Sequence, residues 1–235
     1  MERPNVAGGP QGSVQEWLIS RYYGGLGRLV FQRKSAGMFI SDRLKGAPLV
    51  LASASPRRLA LLRQVGLDPL VRPVEIDESR KPGEAILHFA ERLAVEKAQE
   101  GLREASADFG EGVCVIGADT VVVLGERDLG KPRDEAEARE MLRALSGREH
   151  RVVTGVAVGR GEGRIASLVA VTRVTVKEMS DAEIAGYVAT GEPMDKAGSY
   201  GIQGVGAFMV AGLIGSYSGV VGLPIFETLA LLEQA

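Results

Sequence analysis

Residues 53–58 read Ser-Ala-Ser-Pro-Arg-Arg, at the junction between a short apolar run and a segment with helical spacing. Ser55 suits a helix N-cap and Pro56 the first helical position. Arg57 and Arg58 then fall in the first turn, where the helix dipole is already positive and each cation costs roughly 0.3–1 kcal/mol. The cost reverses when an anion sits on the free N–H groups of that turn. Two guanidiniums at a helix N-terminus therefore point to phosphate, with two solvent-directed arginines as the plain alternative.

Asp119, in Gly117-Ala118-Asp119-Thr120, is expected at the carboxyl end of a buried strand, facing the crevice where α/β sheets bind ligands. A carboxylate there either ligates Mg²⁺ or takes a proton from an attacking water; an Asx turn between paired strands is the other reading. Glu75, Asp77 and Glu78 end another expected strand and offer further oxygen donors for a hard cation, unless they are simply solvated. In the stretch from Asp195 to Gly204, Gly198, Gly201 and Gly204 let backbone approach a ligand. Lys196 adds charge, and Gln203 offers a donor–acceptor pair for a base edge. A glycine-rich surface turn is the bland alternative.

Residues 125–132, Gly-Glu-Arg-Asp-Leu-Gly-Lys-Pro, match the first part of a P-loop but place Pro132 where the Mg²⁺-binding hydroxyl belongs. A P-loop NTPase is thus disfavoured, while Lys131 can still meet a phosphate as a point charge. His88 and His150 lie far apart without cysteine companions, so zinc is not expected. No Gly-x-Ser-x-Gly elbow is present.

The elements that must carry these residues begin at Pro48. An apolar strand leads into a helix with Leu59, Leu62 and Val65 on one face, ended by Gly66. Asp68–Asp77 reads as a second strand, and Pro82 onward as a long amphipathic helix. Val113–Glu126 reads as two β-branched runs hinged at Gly117–Asp119. Asp134–Gly147 is a helix, and His150–Glu178 a hairpin turning at Gly161–Gly163. A short helix has Ser180 and Glu183 at capping-box spacing. After the glycine-rich stretch come a last strand and a closing helix with Pro224 near its start. The order predicts an α/β fold, a mixed twisted sheet flanked by helices.

With 235 residues, 45% hydrophobic, the chain can bury one sizeable core. Net charge is -2, so no global field favours nucleic acid or an anionic membrane, and anion binding must be local. The single cysteine, Cys114, fits a small core residue in a reducing, cytoplasmic setting. No apolar run reaches the length of a membrane span, and residues 1–45 lack a signal-peptide h-region. Those residues read as a poorly ordered N-terminal extension before a domain at 46–235; either Met38 is the true start or the extension is a loosely ordered tail.

Taken in order, SASPRR, VEIDES, Glu96-Lys97-Ala98, GADTVV, GKP and TGEPMDKAGSYGIQG closely resemble the Maf family of nucleoside triphosphate pyrophosphatases, from about Leu49 onward. The resemblance implies two lobes around a deep cleft, similar to the inosine triphosphatase architecture. It also implies hydrolysis of a nucleoside triphosphate to the monophosphate and pyrophosphate with a divalent cation, Mg²⁺ or Mn²⁺. It makes Asp119 the proton acceptor, assigns Ser55, Arg58, Lys97, Lys131 and Lys196 to phosphate, and gives the metal Asp119 and Glu78. Arg57, Thr120 and Gln203 match positions associated with substrate choice, in a combination similar to the branch acting on dTTP and UTP, with modified pyrimidines able to fit nearly the same pocket. House-cleaning of nucleotide pools follows from the family. Family members are often dimers. The competing readings are a nucleotide-binding regulator of cell division without turnover, and a 7-methyl-GTP pyrophosphatase.

Overall fold

The computed structural model describes residue 44, residues 46–161 and residues 163–234. The expectations for the N-terminal extension and Met38 lie outside these residues. Seven strands form one mixed sheet in the order β2-β1-β3-β5-β6-β7, with β4 paired to β3. They are β1 (Leu49–Leu51), β2 (Leu70–Val71), β3 (Cys114–Leu124), β4 (Arg127–Leu129), β5 (Glu149–Arg160), β6 (Arg164–Val176) and β7 (Val210–Ile214). β1 runs parallel to β2 and β3, and the remaining pairs are antiparallel. The helices are α1 (Pro56–Gln64), α2 (Ile86–Phe109), α3 (Glu135–Leu145), α4 (Asp181–Val188), α5 (Tyr217–Val221) and α6 (Ile225–Leu232). No helix among the described residues is long and apolar enough to cross a membrane.

Two sequence expectations are corrected. Val113–Glu126 is not two runs hinged at Gly117: β3 is continuous through Gly117 and Asp119, paired with β5 along its length. The expected strand over 68–77 shrinks to Leu70–Val71, and Glu75–Glu78 lie in the following segment with no regular structure.

Along β3, side chains alternate between faces. Val115, Val121 and Val123 pack toward α2, with Ala52, Leu102, Phe89, Ala90 and Leu93. Cys114, Ile116 and Ala118 pack on the other side with Leu51, Leu62, Leu223 and Leu231, from the side of α1 and α6. A separate core of Leu129, Leu142, Leu145, Ile184 and Met209 gathers around α3 and α4. The sheet flanked by helices is the mixed α/β arrangement expected from the order of elements.

Gly117 and Gly155 are glycines because α2 comes so close. A Cβ on Gly117 would stand 2.3 Å from the carbonyl oxygen of Ala94, and one on Gly155 2.2 Å from that of Ala90. Ala90, Ala94 and Ala98 line the helix surface that makes this approach. Lys97, one residue before Ala98, is thereby drawn down to the sheet.

Candidate active site

The cleft floor is a break in the edge of the sheet. β1 pairs with β3 only at residues 114–116, and β4 takes up the same edge at 122–124. Asp119 and Thr120 fall in the gap, so both face open space although adjacent β3 residues point to opposite faces. Asp119 is therefore not at the end of its own strand, as the sequence reading had it, but mid-strand, just past the carboxyl end of β1. The crevice rule applies through β1.

A cavity of about 640 Å³ opens there, within the few-hundred to thousand Å³ usual for small-molecule sites. Ser55, Arg57, Arg58, Glu78, Lys97, Asp119, Thr120, Lys131, Lys196 and Gln203 all line it. Glu75 and Asp77 do not: they border a shallow groove with Glu96, Glu100 and Arg103 on the other side of the chain segment.

Lys97 is the hub of the buried end. Its ammonium lies 2.8 Å from Asp119 Oδ1 and 2.6 Å from Glu78 Oε1, with the lysine and Asp119 side chains 9% and 14% exposed. Burial pushes the Glu78 carboxyl up, but the Lys97 hydrogen bond and charge, with Lys131 and Arg58 behind it, hold it net below its ordinary value. No described residue donates to Asp119 Oδ2, which leaves that oxygen for water.

The N-terminus of α1 forms one wall. Ser55 caps it, its Oγ accepting from the Arg58 N–H at 3.5 Å. Arg58 bends back and donates to Ser53 Oγ at 2.9 Å and to the Gly222 carbonyl at 2.8 Å, with Thr120 Oγ1 at 3.5 Å. Burial pulls its guanidinium pKa below the ordinary value, Asp119 and Glu78 opposing this and Arg57 adding to it. Arg58 has only neutral acceptors and Lys131 has no ion-pair partner among the described residues. These are the cations left over for an anion. Thr120 is steadied from β5, Thr154 Oγ1 lying 3.1 Å from its hydroxyl and 2.8 Å from the Gly219 carbonyl.

Arg57 leaves α1 in another direction and donates to Asp195 Oδ2 at 2.6 Å, while Lys196 holds Asp195 Oδ1 at 2.6 Å. Burial acts to raise the Asp195 pKa, but the Lys196 and Arg57 hydrogen bonds bring it to about 2. Gln203 is exposed and makes no side-chain hydrogen bond to the described residues.

Sequence reasoning missed the supports. The Gly222 carbonyl as acceptor for Arg58 and Asp195 as partner of Arg57 were beyond reach because they act across 164 and 138 residues; Ser53, five residues before Arg58, lay inside the motif but was given no role. The clamp on the Glu78 segment was missed too: Arg92 grips both Glu84 oxygens at 2.7 and 3.0 Å and the Ser79 carbonyl at 2.9 Å, and Arg80 reaches Asp128 at 3.0 Å. A detectable signal was Glu84 eight residues before Arg92, two turns apart across the start of α2. Two of the glycines also answer to close packing inside the protein, which the sequence reading did not foresee. A Cβ on Gly198 would meet Val122 at 2.8 Å, and one on Gly201 the Lys196 side chain at 2.8 Å.

The family model described as Maf-like protein matches residues 48–235. The chain belongs to the Maf family. This Maf chain is 52% identical over 188 residues to a dTTP/UTP pyrophosphatase of Hyphomonas neptunium, covering 80% of this chain and 95% of that protein. A dTTP/UTP pyrophosphatase of Myxococcus xanthus is likewise 52% identical over 188 residues, at 80% and 92% coverage. One of Yersinia pestis is 48% identical over 186 residues, at 79% and 92%. Among solved structures, a nucleoside-triphosphatase / dITP/XTP pyrophosphatase from Mycobacterium abscessus is 17% identical, with a TM-score of 0.35, over 56% of this chain and 75% of that one. That likeness is too slight to bear on the architecture of this Maf chain.

Proposed function

We propose that this protein is a cytoplasmic pyrophosphatase that hydrolyses dTTP and UTP to the monophosphate and pyrophosphate. The observation that carries the reading is Asp119 held by Lys97 at the floor of a cleft whose wall presents Arg58 and Lys131 without carboxylate partners. The relatives named above supply the two nucleotides.

Asp119 is the proton acceptor. Lys97 fixes one of its oxygens, and the other orients a water and draws off its proton as the water oxygen attacks the α-phosphorus. The bond from the α-phosphorus to the bridging oxygen breaks, and pyrophosphate leaves. Arg58, Lys131, Lys196 and the Ser55-capped turn spread the charge that builds on the phosphate oxygens. Arg57, Thr120 and Gln203 govern the choice of base, the carboxamide of Gln203 matching the O4 and N3–H edge of uracil or thymine.

Glu78 and Asp119 would hold a divalent cation. Two carboxylates already converge on one ammonium, and the described residues contain no cluster of three or more protein metal ligands. That donor set suits Mg²⁺ or Mn²⁺, which commonly take one or two carboxylates and complete their shell with phosphate oxygens and water. The cation would supply further neutralisation of the triphosphate.

The test is a nucleotide panel with Mg²⁺ or Mn²⁺ and product analysis. Pyrophosphate and monophosphate are expected from dTTP and UTP, with turnover lost in EDTA. Binding without turnover would favour the regulator reading, preference for 7-methyl-GTP the sibling specificity, and orthophosphate release a different chemistry altogether.

A further inference from the structure

We propose that Glu192 is a positioning residue for base selection: with the Tyr187 hydroxyl, its carboxylate clamps both ends of the Gly201–Gly206 loop and so fixes where Gln203 presents its carboxamide. This rests on the reading above that Gln203 meets the base.

Glu192 follows the left-handed Gly191 and opens a single 3₁₀ turn. Its Oε2 accepts the Val205 N–H at 2.9 Å, and its Oε1 accepts the Gly206 N–H at 3.0 Å and the Tyr187 hydroxyl at 2.9 Å. The same hydroxyl accepts the Gly201 N–H at 3.2 Å. Backbone groups on both sides of Gln203 are therefore tied to one carboxylate, directly or through one phenol. The Tyr187 ring is 2% exposed and belongs to the α3–α4 core, so the clamp is anchored in packed core.

The spacing of the glycines follows from this clamp. Gly204 has φ +73°, and a Cβ there would lie 2.7 Å from Glu192 Oε2; a Cβ on Gly206 would lie 2.4 Å from the Gly201 carbonyl and 2.6 Å from the Tyr187 hydroxyl. The loop wraps a protein carboxylate as closely as such loops usually wrap an anion. Burial works to raise the Glu192 pKa, but the two backbone N–H groups and the tyrosine hold it net below the ordinary value, so it stays charged while it accepts three donors. Its own main-chain carbonyl also takes the Lys196 ammonium at 2.5 Å, a contact that side-chain replacement leaves in place.

Glutamine at this position keeps the shape but has one acceptor oxygen for three donors, so the loop is released. Phenylalanine at position 187 removes only the bridge to Gly201. For the full-length wild type, Glu192→Gln and Tyr187→Phe, kcat/KM is measured for UTP and GTP, together with inhibition by inorganic tripolyphosphate, a probe without a base. The UTP-over-GTP ratio should fall at least tenfold in Glu192→Gln and about threefold in Tyr187→Phe, with tripolyphosphate inhibition within twofold of wild type. The ratio does not depend on the fraction of active molecules, so partial misfolding does not move it. An unchanged ratio in both variants, or a parallel loss for both nucleotides with weakened tripolyphosphate inhibition, overturns the assignment. A wild-type chain with no preference for UTP overturns the parent reading, and this inference with it.

Discussion

Asp119 shares the Lys97 ammonium with Glu78, and this sharing decides what its replacement does. In Asp119→Asn the lysine keeps Glu78 at 2.6 Å, so no buried ammonium is stranded. The proposed general base is lost without a stability penalty of the kind that follows breaking a buried pair. Turnover should drop at least about 100-fold, the scale of general-base catalysis, while the thermal midpoint stays near wild type; calorimetry beside steady-state kinetics checks both. Gln203 sits at the other extreme, exposed and unpaired. Gln203→Ala should reorder the ranking of bases at little cost in stability, and a nucleotide panel on the variant reads this directly. Arg57 and Arg58 were legible because they break a local rule at a helix N-terminus, and such breaches cluster at functional sites. Their destinations were not: Asp195 lies 138 residues from Arg57 and Gly222 164 residues from Arg58. Periodicity carries no information at that range.

At the scale of elements, the contact of α2 with β3 and β5 sets the depth at which Lys97 meets Asp119. Gly117→Ala would press a methyl carbon against the Ala94 carbonyl, with Ala98 N 2.5 Å away, and neither is the end of a flexible side chain. The helix must lift. We expect destabilisation of about 3 kcal/mol, at the upper end for overpacking, and a fall in kcat beyond what the folded fraction explains, because Lys97 lifts with it. Urea unfolding and active-site-normalised turnover separate the two effects. The long helix, the hairpin and the Ser180 capping box were legible from spacing, and the capping box is formed in full. β3 misled because Gly117-Ala118-Asp119 is turn chemistry by composition. Its glycine answers to a helix packed across the strand, which no local pattern reveals, and pairing with β5 overrides the turn propensity.

For the molecule as a whole, a core histidine that the sequence offered only as a poor zinc ligand adds to the acid sensitivity between pH 7 and pH 5. His150 is 2% exposed, its Nε2 lies 2.7 Å from the Tyr200 hydroxyl, and its Nδ1 has no partner among the described residues. Burial pushes its pKa down from 6.5 to about 4. The folded state thus holds the neutral ring, and the unfolded chain binds the extra proton between those values. The contribution to stability is fully present above pH 6.5 and is lost as pH falls toward 4. Between pH 7 and pH 5 the loss should be about 2 kcal/mol, and His150→Gln should flatten it; urea midpoints at the two pH values are the measurement. Cys114, buried and pushed up to about 11, stays an inert thiol over the same range.

The 164-residue span between Arg58 and the carbonyl of Gly222 also bears on the order of manufacture. At the roughly 5–20 residues per second of protein synthesis, Arg58 waits on the order of 10–30 seconds after it is made before its acceptor exists. β1, α1 and α2 emerge early and can begin to pack, but Arg58, already held by Ser53, gains its Gly222 acceptor only after α5 follows. A ribosome-stalled chain ending before Gly222 would carry Asp119 and Lys97 yet lack the carbonyl that holds the Arg58 guanidinium, so that arm of the proposed phosphate site takes its final form late.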